Sequence, residues 1–389
     1  MRALIPALIA VLWAIAAVAA EIPAGTELQV RLKTKVATAS SKAGDRVEAV
    51  LIASAVAKAG AIVTGTVVAV ENKAGERAIL DLEFTQLEAG NVRTTIAARV
   101  SAVDNARETV EETGRITGIL SSETITAQID KGLEKLSERA AKFSEILRAA
   151  KGAVLKPVDA SITYEPGVEL ILKLTKAVAW GGPSGSAHLA EPDTAMRATV
   201  LAQPFLTRTE KDLKPSDITS LMFAGSREQV EAAFAAAGWT TAAARTSESV
   251  LETIRAVAEQ RGYKEAPMSI LTLDGQKPDM VFQKQNNTFA KRHHLRIWKR
   301  AGEQDGREIW VSSATHDIGI EYSPENKTFI HKIDPKIDNE RQKTVSDLQF
   351  SGKVKRTYLV DRPAVPRRSQ NATGDDLITD GKMAVLVLN

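Results

Sequence analysis

Four of the five histidines in this 389-residue chain, His293, His294, His316 and His331, fall within 39 consecutive residues, among Asp317, Asp334, Asp338 and Glu340. Imidazoles and carboxylates are the groups that ligate divalent metals and carry protons near neutral pH. The spacing matches neither HExxH nor a two-Cys, two-His site, and ligands drawn from separate strands leave no local motif. Strand alternation sorts the residues. In RHHLRIW at 292–298, His293 shares a face with Leu295 and Ile297, and His294 shares the other with Arg296 and Trp298. His293 is then expected to be a hydrogen-bonded core histidine and His294 to look into a polar site. His316, on the face of Trp310, Ser312 and Ala314, is expected to join His294 where the two strands pair. The candidate set for a divalent metal is His294, His316, His331 and Asp338; the candidate ligand-binding set is His294, Arg296, His316 and Arg341.

The segment KQNNTFAKRHHLRIWKR at 284–300 holds six Lys or Arg and no acid. It suits an anionic group such as a phosphate or carboxylate, or else an edge strand protected from aggregation by charge. Downstream, HKIDPKIDNERQKTVSDL reads as a strand end followed by a helix from Pro335 to about Leu348, with Asp334 as N-cap and Pro335 in the first turn. Its buried side, marked by Ile337, Val345 and Leu348, also passes through Glu340 or Arg341. A charge there must be paired internally or bound to a ligand. The chain has no GxSxG elbow, no dinucleotide loop and no Cys, which removes the familiar serine, cysteine and Rossmann chemistries.

The elements that must position these groups form two units. From Ile22 to about Val103, short β-branched runs cut by Gly (28–33, 47–56, 62–70, 78–87 and 92–100) predict a small antiparallel barrel or sandwich. Ile125, Ile129, Leu133, Leu136, Phe143 and Leu147 predict an amphipathic helix over about 122–151. The opening pattern then returns, GTELQVRLKTKVA from Gly25 aligning with GVELILKLTKAVA from Gly167, so the first and last strands of one barrel are expected to meet. Residues 181–214 read as a linker with some local structure, 215–365 as an α+β domain with a mixed sheet, and 366–389 as a tail. The whole is an α+β protein. Residues 1–20, one Arg, an apolar run and small residues before Glu21, read as a signal peptide too short to span a bilayer. No later stretch predicts a transmembrane helix, so the expectation is a periplasmic or secreted protein. A formal net charge of +3 gives no footprint for nucleic acid, and none is expected as a partner.

AAGW at 236–239, YKEAPMSILTLDGQKPDMVFQK, RHHLRIW, WVSSATHDIGI and HKIDPKIDNERQ together resemble the LssY-like C-terminal domain over about 215–362. The barrel and its IPAGTELQVRL phrase resemble the small β-barrel modules of bacterial cell-envelope proteins. The LssY-like domain occurs elsewhere attached to lipid phosphatase or related membrane segments, so the resemblance implies an envelope setting and assigns no catalytic residue. Lys355 and Arg362-Pro363 fit the first element of the lipid phosphatase motif, but the histidine nucleophile is missing from its place, and the two cations read as surface charges. The sequence thus favours an exported binding or adaptor protein recognising an anionic ligand or an envelope protein partner. The alternative is a metal-dependent hydrolase of phosphate-containing envelope molecules.

Overall fold

The computed structural model describes residues 20–54, 57–120, 160–183, 189–241, 270–284, 291–323 and 328–389. The predicted helix over 122–151 and the signal peptide apart from its final residue lie outside these, as does SESVLETIRAVAEQRG at 247–262, whose Ser start and terminal Gly predict another helix.

Six strands form the first unit: β1 (Glu27–Leu32), β2 (Arg46–Ala53), β3 (Ile62–Glu71), β4 (Ile79–Ala89), β5 (Val92–Val103) and β6 (Glu169–Leu174). They are hydrogen-bonded in the order β3-β2-β1-β6-β5-β4, and β3 also pairs with β4, which closes the barrel. The two related strands meet as the repeat predicts, with Arg31 opposite Glu169 and Leu28 opposite Leu172. Alternation along β1 buries Leu28, Val30 and Leu32 while the residues between them stay more open, as a half-buried strand requires. Closure leaves no free edge around the barrel.

Gly65 marks the tightest approach in this wall. A Cβ there would lie 2.1 Å from the Glu83 carbonyl oxygen and 2.8 Å from Phe84 Cα, beside a break in the β3–β4 register. Gly65→Ala is expected to lower the unfolding free energy by about 2 kcal/mol through backbone overpacking. A urea melt that moves by less than about 0.5 kcal/mol would show that the barrel wall yields at this point.

The second unit is a mixed sheet. Its strands are β7 (Pro215–Ala224), β8 (Trp239–Thr241), β9 (Met280–Lys284), β10 (Arg292–Gln304), β11 (Arg307–Ser323), β12 (Thr328–Ile333), β13 (Val354–Asp361) and β14 (Lys382–Leu388). The order β13-β14-β7-β11-β10-β9-β8 runs across it, with β12 on β11. β14 is parallel to β7 and antiparallel to β13. Helices α2 (Arg227–Ala236) and α3 (Asp338–Phe350) cover one face, where Val230, Phe234, Val345 and Leu348 pack on Leu221, Phe282, Leu295 and Trp310. On the other face Met196 and Val200 of α1 (Thr194–Leu201) pack on Met222, Trp298 and Val385. Ser226, whose place ahead of REQVEAAFAAAG predicts an N-cap, caps α2 in a reciprocal capping box with Gln229.

Several expectations change. Within 181–214, α1 and the strand Leu206–Thr209, which pairs with β7, belong to the second unit. Within 366–389, β14 is a central strand with nearly every residue buried; KMAVLVL is a continuous apolar run of the kind a doubly covered strand shows. β10 is no edge strand, because it pairs with both β9 and β11. Asp334 does not cap α3: Ile337 holds the N-cap position, and the Asp334 carboxylate accepts from Lys336 N and Asn339 Nδ2. Arg362 is buried instead of surface-exposed, and donates to the Thr219 carbonyl at 2.7 Å; burial holds its pKa down at about 10. Lys355 is exposed, as expected.

The apolar cores of the two units do not merge among the described residues. One cluster runs from Ile22 to Trp180, and the others begin at Met196. The described side-chain contacts between the units are mostly between charged groups.

Candidate functional site

The helix α3 builds the centre of this junction. Glu340, Lys343, Asp347 and Phe350 recur at three and four residues, so one stripe of the helix meets the barrel. Ile337, Val345 and Leu348 turn toward the apolar interior. At the barrel end, the loop that follows β5 presents Asp104 and Asn105 beside Glu169, the Asp104 N–H donating to the Glu169 carbonyl at 2.9 Å.

His293 bridges the two units. Its Nδ1 donates to Glu340 Oε2 at 2.7 Å and its Nε2 to Asp104 Oδ1 at 2.9 Å. Donation from both ring nitrogens requires the imidazolium. Burial works against that charge, but the two carboxylates outweigh it and raise the His293 pKa to about 9. Burial likewise works against the Asp104 carboxylate, and the charges of His293 and Lys343 overcome it, holding Asp104 well below the usual carboxylate range. His316 lies across from His293 in register, its ring stacked at 3.9 Å and 17°, with Nε2 donating to Asn105 Oδ1 at 2.9 Å. Burial and the adjacent imidazolium lower its pKa to about 4, so it is neutral.

A second cluster continues along the same stripe. Glu169 takes Arg31 at 2.8 Å and Lys284 at 3.1 Å on one oxygen and Lys343 on the other. Asp347 takes Lys284 at 2.6 Å and the Trp239 indole N–H at 3.0 Å on one oxygen and Arg31 at 3.0 Å on the other. The Arg31 guanidinium also lies over the Phe350 ring at 5.3 Å. Burial opposes the charge on Lys343, yet Glu169, Asp104 and Asp347 hold its pKa well above the ordinary lysine value.

The residues singled out from the sequence fall in three places. His294 lies on the opposite face of β10, its Nε2 on Asp317 Oδ1 at 2.9 Å, with Arg292 at 2.8 Å and His331 at 3.5 Å from the other Asp317 oxygen. Arg296 is on that face too, 3.3 Å from Asp217. His316 stands with His293 on the α3 face, so it does not join His294: the register pairs it with His293 and pairs His294 with Thr315. Arg341 and Asp338 sit at the start of α3, where Arg341 grips Asp380 through both terminal nitrogens at 2.7 and 2.9 Å and reaches Asp338 at 3.0 Å. His293, expected as a hydrogen-bonded core residue, is buried and hydrogen-bonded, but its partners are charged and one belongs to the other unit. Sequence reasoning reached Lys284 only as one cation of the 284–300 segment, and missed Arg31, Asp104, Glu169, Lys343 and Asp347. The i, i+4 spacing of Lys343 and Asp347 was a visible signal for the last two.

Among the described residues, one group brings three possible metal ligands together: donor atoms of Asp104, His293 and His316 lie within 4.8 Å of one another. Of the sequence candidates only His316 belongs to it. The arrangement does not suit shared coordination as it stands. A metal lies in the plane of each imidazole that binds it, and two rings stacked face to face have no common in-plane point; His293 moreover has both nitrogens engaged as donors.

A closed antiparallel barrel clamped through buried ion pairs to a mixed sheet with helices on both faces defines the class. Residues 199–383 match the family model described as the LssY C-terminus, so the second unit carries the LssY-like C-terminal domain that its motifs imply. No curated protein matches the chain. Among solved structures, ComB10 of the Com type IV secretion system of Helicobacter pylori is similar at 13% identity and a TM-score of 0.23, over 43% of this chain and 93% of that one. No helix among the described residues is long and apolar enough to cross a membrane.

Proposed function

We propose that this is an exported cell-envelope binding or adaptor protein whose LssY-like domain recognises an anionic group on a ligand or partner. The observation that carries the reading is the way this domain uses its cations. All six Lys and Arg of 284–300 are engaged: Lys284 on Asp347, Arg292 on Asp317, Arg296 on Asp217, Lys299 on Glu308, Arg300 on Asp274, and Lys291 on the Ala106 carbonyl of the barrel. Three of them hold their carboxylates in buried surroundings, where a charge-assisted hydrogen bond is strong and geometrically selective. These internal pairs support a reading in which the domain's cations recognise carboxylates. The scatter of His294, His316 and Arg341 over three places supports binding over a single catalytic cleft.

The second reading, a metal-dependent hydrolase of phosphate-containing envelope molecules, draws on the Asp104, His293 and His316 group. It requires His316 or His293 to leave the stack.

Titration of the full chain separates the two. Calorimetry with inorganic phosphate and with hexaglutamate is expected to give weak binding that falls as salt is raised, and p-nitrophenyl phosphate with zinc, magnesium or manganese is expected to stay intact. Hydrolysis that depends on added metal and disappears in His316→Ala would establish the hydrolase instead. Silence in every titration would remove the anion-recognition reading.

A further inference from the structure

We propose that Lys284, Lys343 and His293 form a carboxylate socket on the LssY-like domain, that Glu169 and Asp104 of the barrel fill it as a built-in plug, and that an acidic segment of a partner protein displaces them. The proposal rests on the anion-recognition reading and gives that recognition a place and a control.

Three observations carry it. The first is charge balance. On the LssY-like side of the junction, Lys284, Lys343 and His293 face Asp347 and Glu340, which leaves one cation in excess; on the barrel side, Glu169 and Asp104 face Arg31, which leaves one carboxylate in excess. The second is where the partners come from. Lys343 has Glu169 of the barrel as its direct hydrogen-bond partner, whereas Asp347 in its own unit is 3.9 Å away. A buried ammonium without a carboxylate is costly, so the socket is stable only when filled, and exchange of one carboxylate for another preserves that condition. The third is the polar character of the junction. Among the described residues the apolar clusters of the two units share no member, and polar contacts between units behave like transient interfaces. An acidic protein segment is favoured over a single small anion because two sites are to be filled: one carboxylate between Lys284 and Lys343, and another at His293.

The test uses the full chain and fluorescein-labelled hexaglutamate, read by anisotropy at low salt. The double variant Asp104→Asn, Glu169→Gln withdraws the plug, and is expected to bind the peptide at least about tenfold more tightly than wild type, a change of about 1.4 kcal/mol. Adding Lys284→Gln and Lys343→Gln to that variant is expected to abolish the gain. No gain in the double variant, or a gain that survives loss of both lysines, overturns the proposal. If the double variant does not fold, wild-type protein decides: small-angle scattering in excess hexaglutamate is expected to show a larger radius of gyration as the barrel is displaced, and an unchanged radius overturns it. Peptide binding that ignores both lysines leaves anion recognition standing and removes the socket; absence of binding in every variant removes both.

Discussion

His293→Ala is expected to lower the unfolding free energy of the full chain by about 3 kcal/mol at pH 6.5, because it leaves Asp104 and Glu340 facing each other across the junction without the imidazolium between them. The pH dependence makes the prediction specific. His293 has a folded pKa of about 9, above its ordinary 6.5, so its contribution is complete below pH 6.5 and is lost as pH rises toward 9. His316 and His331 have folded pKa values lowered to about 4, burial being the main cause in each, so they cost stability as pH falls from 6.5 toward 4. Asp104, held low, adds a further loss in acid. The titratable groups that face His293 among the described contacts include Asp104, Glu340 and His316, with Lys343 beyond them on Asp104. Wild-type stability is therefore expected to peak near pH 6.5. His293→Ala should flatten the alkaline limb and keep the acid one, which His331 still supplies. Urea melts at half-unit intervals of pH measure this, and an alkaline limb unchanged by the substitution would show that His293 is not the bridging cation.

Asp347→Ala is expected to cost as much or more, about 3 to 5 kcal/mol. Its carboxylate is the common acceptor for Lys284, the Trp239 indole and Arg31, and two of those three donors are nearly fully buried. Removing it strands the Lys284 ammonium from its nearest carboxylate, leaving it Glu169 of the barrel at 3.1 Å and the Ala237 carbonyl at 2.9 Å, and takes the acceptor from a buried indole N–H. The companion variant Lys284→Met distinguishes this cause from a general packing defect. Asp347→Ala with Lys284→Met should lose less than Asp347→Ala alone, because the stranded ammonium goes with its partner, and the coupling should exceed about 1 kcal/mol. Additive losses in a double-mutant cycle would mean that the ion pair is incidental to the cost.

Both substitutions lie at positions whose importance only partly shows in the sequence. Glu340 on the buried side of α3 was recognisable as a charge needing a partner, since it falls at helical spacing from Ile337 and Leu348. Its partner was not, because His293 precedes it by 47 residues and Asp104 by far more. The face shared by His293 and His316 was legible in principle. Asp305 and Gly306 both have positive φ and form the two-residue turn between β10 and β11, and such a turn pairs odd positions of one strand with even positions of the next. The register slips by two between Arg300 and Glu303, which preserves that parity. His316 therefore had to stand beside His293, not beside His294.

By itself the sequence determined what depends on nearest neighbours and period. The Gly-cut β-branched runs made the barrel strands, Ser226 and Gln229 made the start of α2, the repeated GTELQVRL and GVELILKL made two strands that pair, and five separated motifs identified the LssY-like domain. Tertiary structure alone decided the contacts that depend on distance. It placed Lys382–Leu388 in the middle of a sheet, where its apolar run is covered on both faces. It also brought Arg31, Asp104 and Glu169 of one unit against Lys284, His293, Lys343 and Asp347 of the other. Local periodicity can say that a charged residue lies on a buried face. Only the packing of separately folded units says which opposite charge waits there, because a buried charge takes whichever partner the whole chain delivers within about 3 Å.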